Sequence, residues 1–186
     1  MATRTRMTVE EYYATAVEID LPTQLIDGEL VISHPSPLHA VLQLRLATAF
    51  GAWTQAGPER GLAALPTDVV LGEHDAYAPD VLWIAERHKP LDLRVRLERI
   101  PDICVEIRSP STWRYDVGRK KAVYEDAGLP ELWLVDDQAE TVLAFRRSQS
   151  DQAGFDVALE LGTGETLGSP QLPGFALAID ALFAPA

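Results

Sequence analysis

Apolar residues recur along the chain at two spacings, one typical of helices and the other typical of strands. Spacings of three and four residues predict a long helix from Ser36 to about Gln55, with Ser36 as the N-cap and Pro37 at the first helical position. Thr8 and Glu11 form a capping-box pattern, which predicts a shorter helix near the start of the chain.

Strands are predicted in short segments that alternate or run apolar between turn residues. Asp27 and Gly28 predict a hairpin between the two short strands of TQLIDGELVISH. Further strands are predicted in ALPTDVVLG (64–72), YAPDVLWIA (77–85), PDICVEI (101–107), ELWLVD (131–136), TVLAFRR (141–147) and FDVALEL (155–161). A charged loop with one helical turn is expected at 86–100, and a helix that Gly128 ends is expected in VGRKKAVYEDA (117–127).

The order of these elements predicts the α/β (α+β) class: a central mixed β-sheet flanked by helices, with an N-terminal helix and hairpin and a β-rich C-terminal part that ends in a short helix. A length of 186 residues fits a single domain, 1–186, with a sizeable core. No apolar run approaches the roughly 20 residues that cross a bilayer, and the N-terminus lacks the apolar stretch of a secretory signal. A cytoplasmic protein with no membrane partner is therefore expected.

Charge is distributed unevenly along the chain. The net charge of -12 argues against a nucleic-acid partner, because such binding draws on lysine and arginine. Ten of the 16 basic residues nevertheless lie between residues 87 and 121, against five acidic ones. That segment is either a local basic face or an ordinary solvated surface. The lone cysteine, Cys104, is expected to be a small buried hydrophobe.

Glu106 lies in a strand that is otherwise apolar. Ile103, Val105 and Ile107 share one face of that strand, while Cys104 and Glu106 share the other. The following helix and the strand ELWLVD resemble a crossover unit, in which central strands are covered on both faces. A carboxylate in such a place is costly unless it is protonated, paired or bound to a metal.

Lys120 lies in the apolar arc of the next helix. At about 100° per residue, Lys120 falls beside Tyr124 and Ala127, whereas the next lysine falls near the edge of the arc. Lys120 is therefore expected to point toward the sheet and toward Glu106. The alternative is a surface ion pair with Asp116, four residues earlier, worth about 0.3 to 0.5 kcal/mol.

A further inward carboxylate is expected at Asp80, which follows a proline at the start of the apolar strand beside the one carrying Glu106. Two carboxylates on adjacent strands with Lys120 nearby make a site for a hard divalent cation, and oxygen ligands suit Mg²⁺ or Mn²⁺. Without a Cys/His cluster, a zinc site is disfavoured. A blander possibility is a purely structural ion pair between Glu106 and Lys120.

Five motifs follow one another over nearly the whole chain. They are LIDGELV (25–31) with His39 ten residues after Glu29, APDVLWI (78–84), PDICVEIRSPST (101–112), DVGRKKAVYEDAGLPELWLVD (116–136) and LGSPQLPGFALAIDALF (167–183). Together they resemble the Uma-two-type endonuclease family, within the PD-(D/E)XK restriction-endonuclease-like superfamily. The resemblance implies a homodimeric nuclease in which Asp80 and Glu106 bind the metal and Lys120 is the catalytic lysine, moved from strand to helix.

The resemblance also implies roles around this core. The superfamily's usual lysine stands where this chain has Arg108, which is expected to contact phosphate or a neighbouring acid. His39 is expected near the cleft as a proton carrier or phosphate contact, or as a helix-end histidine without chemistry. Tyr124 is a further accessory candidate. Gln24 stands where the family usually has a glutamate, which weakens the metal site unless Glu29 compensates.

Two functions follow. The first is a Mg²⁺- or Mn²⁺-dependent endonuclease that hydrolyses DNA phosphodiester bonds at Asp80, Glu106 and Lys120. The alternative is a catalytically degenerate protein of nuclease fold that binds nucleic acid or a protein partner. Gln24, Arg108 and the net charge of -12 favour this alternative.

Overall fold

The computed structural model describes residues 6–16, 18–19, 21–97, 99–110 and 112–185, so the predicted domain limits, 1 and 186, lie outside the described residues. The helices are α1 (Val9–Ala16), α2 (Pro37–Gln55), α3 (Trp113–Tyr115), α4 (Lys121–Asp126) and α5 (Ile179–Leu182), with a 3₁₀ turn at Glu86–His88 and a π-helical turn at Asp116–Lys120. No helix in the described part of the chain is both long and apolar enough to cross a bilayer.

The strands form three sheets. They are β1 (Thr23–Ile26), β2 (Glu29–Ile32), β3 (Leu62–Ala64), β4 (Val69–Gly72), β5 (Asp75–Tyr77), β6 (Val81–Ile84), β7 (Ile103–Ile107), β8 (Glu131–Asp136), β9 (Thr141–Arg146), β10 (Val157–Leu161), β11 (Thr166–Leu167) and β12 (Leu177–Ala178). The central sheet has six strands in the order β10-β9-β8-β7-β6-β3, in which β7 and β8 run parallel and the other neighbours antiparallel. A four-stranded sheet has the order β2-β1-β5-β4, and β11 pairs with β12. The predicted mixed sheet of an α+β fold is confirmed.

The elements near the N-terminus form as predicted. Thr8 N donates to Glu11 Oε2 at 2.8 Å and Glu11 N donates to Thr8 Oγ1 at 3.2 Å, which completes the capping box of α1. The hairpin of β1 and β2 turns at Asp27 and Gly28, whose φ angles of 54° and 75° lie in the left-handed region that this two-residue turn requires.

Two of the predicted strands are each divided between two sheets, which corrects the prediction from sequence. The segment 64–72 contains the end of β3 and all of β4, and the segment 77–85 contains the end of β5 and all of β6. Pro66 and Pro79 lie between the parts, because proline has no N–H to donate to a strand ladder. β4 and β5 form a hairpin that pairs with β1 and so enlarges the N-terminal hairpin into the four-stranded sheet.

Alternation along β7 separates two cores on the two faces of the central sheet. Ile103, Val105 and Ile107 pack in the larger core, to which α2 and α5 contribute buried side chains. Cys104 is buried in the core on the other face, together with Tyr124 and with side chains of the four-stranded sheet. β7 is therefore covered on both faces, as a central crossover strand is expected to be.

The helical segment after β7 begins four residues earlier than predicted and is not a regular α-helix. It starts with α3, widens in the π-helical turn at Asp116–Lys120 and ends with α4. Lys120 and Tyr124 face the sheet as predicted, but Ala127, predicted on the same arc, is exposed. Because a π turn bonds residue i to i+5, the step of about 100° per residue does not hold through it.

Candidate active site

Asp80 and Glu106 lie opposite each other on adjacent strands. Val81 pairs with Val105 in the antiparallel ladder between β6 and β7, so Asp80, directly before β6, is placed across from Glu106. Asp80 Oδ2 accepts a hydrogen bond from Ile107 N at 2.7 Å, which holds the Asp80 carboxylate at this end of the ladder. The structure therefore places the two predicted metal-binding acids at opposing positions of adjacent strands.

Glu106 is buried against a lysine and a tyrosine. Lys120 Nζ lies 2.7 Å from Glu106 Oε1, and Tyr124 OH donates to the same oxygen at 2.7 Å. Glu106 is 3% exposed, whereas Lys120 and Tyr124 are completely buried. The predicted site residues Glu106, Lys120 and Tyr124 thus contact one another in a cluster that is almost inaccessible to solvent.

A second buried carboxylate, Asp116, holds the other side of Lys120. Lys120 Nζ lies 3.0 Å from Asp116 Oδ1, at an ion-pair distance but without the angles of a hydrogen bond. Thr112 Oγ1 donates to Asp116 Oδ2 at 3.0 Å, and Ser109 Oγ lies 2.8 Å from that hydroxyl. The pair with Asp116 is therefore buried rather than on the surface, and it coexists with the contact to Glu106.

Sequence reasoning missed Asp116 as a member of the site, although a signal existed. Asp116, Lys120 and Tyr124 follow one another at intervals of four, the spacing of helix residues that share a face. It also missed Tyr77, whose ring centre lies 5.3 Å from Lys120 Nζ and whose hydroxyl donates to Asp75 at 2.7 Å. No local pattern marks Tyr77, because its contact joins β5 to a helix more than forty residues later.

Burial shifts the pKa values of this cluster. Burial raises the pKa of Glu106 to about 8, although the charge of Lys120 acts in the opposite direction. Burial lowers the pKa of Lys120, but the charges of Asp116 and Glu106 outweigh it, so the pKa lies above its ordinary value. Because Lys120 is one cation between two buried carboxyl groups, full compensation of the cluster needs a proton or a further cation.

His39 lies beside Asp80 at the start of α2. Ser36 caps the helix by accepting a hydrogen bond from His39 N at 3.1 Å, and His39 Nε2 lies 3.2 Å from Asp80 Oδ2. Burial lowers the pKa of His39, but the hydrogen bond and charge of Asp80 outweigh it and raise that pKa above its ordinary value. His39 Nδ1 is buried and has no hydrogen-bond partner among the described residues.

A small cavity of about 140 Å³ opens on Asp80, and His39, Gln24 and Gln43 are among the residues that line it. Gln24 Oε1 accepts a hydrogen bond from Ala78 N at 3.4 Å, which holds Gln24 near Asp80. Glu29 is exposed at the start of β2 and does not line this cavity.

Arg108 follows Glu106 by two residues but makes its contacts elsewhere. Its guanidinium donates to both carboxylate oxygens of Asp136 at 2.9 and 3.0 Å, and it lies over the ring of Trp113 at 5.2 Å. Of the two expected partners, phosphate or a neighbouring acid, the structure shows the acid. Arg108 therefore joins the ends of β7 and β8.

Asp80 and Glu106 offer carboxylate oxygens, the ligand type that suits Mg²⁺ or Mn²⁺. In the described residues, no group of three or more His, Cys, Asp or Glu side chains is arranged to hold a metal ion. Mg²⁺ is commonly bound through one or two carboxylates, with waters and substrate phosphates completing its coordination. The two acids fit this mode of binding, in which the protein supplies only part of the coordination of the metal.

The fold is that of an α+β protein built on a central mixed sheet. The family model described as "Uma2: Putative restriction endonuclease" matches residues 9–180, so the chain belongs to this family, as its motifs predict. Its fold is similar to that of a "putative nuclease belonging to DUF820" from Anabaena variabilis ATCC 29413, with a TM-score of 0.76 and 18% sequence identity over 96% of this chain and 98% of that chain. No curated protein sequence matches the chain.

Proposed function

We propose that the protein is a metal-dependent endonuclease that hydrolyses phosphodiester bonds in DNA with Mg²⁺ or Mn²⁺. The observation that carries the proposal is the position of Asp80 opposite Glu106, which follows from the pairing of Val81 with Val105, next to the buried amine of Lys120. The description of the family as restriction endonucleases agrees with this substrate class. Asp80 and Glu106 would hold the divalent cation, whose chemistry there would be to polarise the phosphate and to lower the pKa of the attacking water.

The surrounding residues fix the two ligands. Ile107 N and His39 hold the Asp80 carboxylate, while Lys120 and Tyr124 hold Glu106. Lys120 keeps a positive charge beside the site, which opposes the negative charge that develops during phosphoryl transfer. His39 lines the cavity beside Asp80 and would serve as the proton carrier.

Asp80 is the part of the site that reaches the surface. Its side chain is 17% exposed and lines the 140 Å³ cavity, whereas the side chain of Glu106 is 4% exposed. We therefore place the scissile phosphate on the Asp80 side, where Gln24 and Gln43 can contact it.

Cleavage of supercoiled plasmid tests the proposal directly. Wild-type protein in Mg²⁺ or Mn²⁺ should nick the plasmid, and Asp80→Asn or Glu106→Gln should lower the rate by about 100-fold or more, because each removes one ligand charge. Asp92→Asn is the matched control, since Asp92 is an exposed acid in the 86–100 loop. Equal nicking by all four proteins would end the proposal.

A catalytically degenerate binding protein is the second candidate. The complete burial of Lys120, the near burial of Glu106 and the presence of Gln24 favour it. It requires that the two acids bind no metal. Calorimetric titration with Mn²⁺ decides the matter: heat that is lost in Asp80→Ala excludes this candidate, and no heat from folded wild-type protein excludes the first.

We further propose, from the resemblance to the family, that the protein acts as a homodimer in the cytoplasm. Light scattering coupled to gel filtration tests the oligomeric state, and the expected mass is twice the chain mass of 20.4 kDa. A mass equal to one chain at micromolar concentration would contradict it. Fractionation of cells expressing the protein tests the location.

A further inference from the structure

A second cavity lies at the other end of the central sheet. It has a volume of about 630 Å³ and lies beside the first residues of β8 and the residue that precedes β7, Asp102. Asp102 is four residues before Glu106, about 13 Å away along the strand. We call it the arginine cavity, since four arginines line it: Arg87, Arg99, Arg146 and Arg147.

Two buried acids lie in the wall of the arginine cavity. Asp102 contacts His88 Nδ1 at 2.8 Å and accepts a hydrogen bond from Ala85 N at 2.8 Å. Glu131 accepts hydrogen bonds from Arg146 at 2.7 Å and from the indole of Trp133 at 2.6 Å. Glu131 is therefore paired with Arg146, and the two acids face four arginines.

Arg147 is a fixed cation without an ionic partner. Its guanidinium donates to the carbonyl oxygens of Leu129, Gln152 and Glu125, which orient it but carry no formal charge. No carboxylate among the described residues lies at ion-pair distance from it. A guanidinium held in this way loses little side-chain entropy when it binds an anion.

Arg87 and Arg99 add two exposed cations at the rim. The Arg87 side chain is 72% exposed, donates to His88 Nε2 at 3.2 Å and lies 3.8 Å from Asp102. Arg99 is exposed and forms no hydrogen bond or ion pair with another described residue. Three guanidinium groups thus meet at one cavity of a chain whose net charge is -12. This concentration of positive charge favours the binding of anionic ligands in the cavity.

We propose that the arginine cavity binds a phosphate group, carried by a nucleotide or by a nucleic-acid strand. Guanidinium groups present paired N–H donors that match phosphate oxygens. Gln149 and Ser150 also line the cavity and supply uncharged donors. The proposal goes beyond the proposed cleavage, because it involves neither Asp80 nor Glu106.

The test measures binding in EDTA, so that no metal contributes. The probes are inorganic phosphate, deoxyadenosine monophosphate and a fluorescently labelled single strand of about 12 nucleotides, at low salt because phosphate binding weakens as salt rises. The double variant Arg87→Glu, Arg99→Glu should weaken binding by about tenfold or more. Arg94→Glu is the matched control, because Arg94 lies in the same loop, is 92% exposed and does not line the cavity.

Each outcome decides the proposal. Binding of phosphate and the mononucleotide, weakened in the double variant and unchanged in Arg94→Glu, supports a small phosphate ligand. The same pattern for the single strand alone supports a nucleic-acid ligand. Equal weakening in both variants indicates a general effect of charge and overturns the proposal, as does the failure of all three probes to bind. Glu106→Gln should bind as wild type does, so plasmid cleavage can fail without affecting this result.

Discussion

The buried cluster around Glu106 and the arginine cavity lie at opposite ends of the same sheet. Charged side chains are buried at the first end and exposed at the second. Glu106, Asp116 and Lys120 are nearly sealed from water and compensate one another within 3.0 Å. Arg87 and Arg99 are exposed to solvent, and Asp102 lies 3.8 Å from the Arg87 guanidinium. Buried charges interact strongly but must be balanced, whereas exposed charges are screened and can be gathered at little cost.

This difference distinguishes the end of the sheet whose charges contribute to stability from the end whose charges are available for binding a ligand. Removing one member of the buried cluster leaves an uncompensated charge in the core, so the fold depends on it. Removing an exposed arginine changes the local potential but leaves the core intact. Four substitutions or conditions can break or sharpen this comparison, and the largest expected effect comes from Lys120.

Lys120→Ala should lower the free energy of unfolding by about 3 to 5 kcal/mol, because it leaves Glu106 and Asp116 buried without a cation. Urea denaturation followed by tryptophan fluorescence measures the loss. Lys121→Ala is the control: this neighbour pairs with Glu125 at 3.6 Å and is partly exposed, so about 1 kcal/mol or less is expected. Similar losses in the two variants would show that the buried cluster contributes no more to stability than a partly exposed ion pair does.

The pH dependence of stability should identify Glu106. Its pKa is about 8 in the folded protein against an ordinary value of 4.5, so between these pH values the folded protein holds a proton that the unfolded chain has released. In EDTA the contribution of Glu106 to the free energy of unfolding should therefore fall as pH rises through this range, by at most about 1.4 kcal/mol per pH unit.

Glu106→Gln isolates this contribution, because other acids titrate in both proteins. Urea unfolding at several pH values should show wild type losing stability relative to Glu106→Gln as the pH rises from about 4.5 to about 8. A constant difference over that range would mean that Glu106 is ionised throughout, and that Lys120 rather than burial determines its state.

Ser36→Ala should lower the free energy of unfolding by about 1 kcal/mol, because it removes the N-cap of α2. The cap also positions His39 on Asp80, so this substitution extends the test from the buried cluster to the edge of the acidic site. Ser150→Ala, at an exposed serine of the arginine cavity, is the control and should cost nothing measurable. Equal stability of the two variants would contradict the role of the cap.

Arg99→Ala should change the free energy of unfolding by less than about 0.5 kcal/mol, the smallest effect in the series. Its side chain is exposed and forms no hydrogen bond or ion pair with another described residue. Thermal unfolding monitored by circular dichroism provides the measurement. A loss of more than about 1 kcal/mol would place Arg99 in the structural framework and weaken the contrast between the two ends.

Most of the acidic site could be predicted from the sequence, because strand alternation and helical spacing act over short distances. Glu106 shares a face with Cys104 whatever the tertiary arrangement, and Lys120 lies on the apolar side of its helix even through a π-helical turn. The order of β6 and β7 along the chain then favoured their pairing, which places Asp80 across from Glu106.

The remaining features depend on contacts that local patterns do not encode. The split of the segments 64–72 and 77–85 between two sheets follows from the way β4 and β5 dock on β1. The arginine cavity joins Arg99 to Arg147, from parts of the chain separated by more than forty residues. Asp116 lies four residues before Lys120, at the spacing of residues that share a helix face. Its burial, however, results from packing against the sheet.

The burial of Lys120 has a consequence for the reactivity of its amine. The chain has three lysines, and the side chains of Lys89 and Lys121 are 40% and 26% exposed, against 1% for Lys120. An acetylating reagent should therefore modify Lys89 and Lys121 in the native protein and spare Lys120. Slow acetylation of Lys120, read by peptide mass spectrometry, would then record how often this part of the interior opens to water.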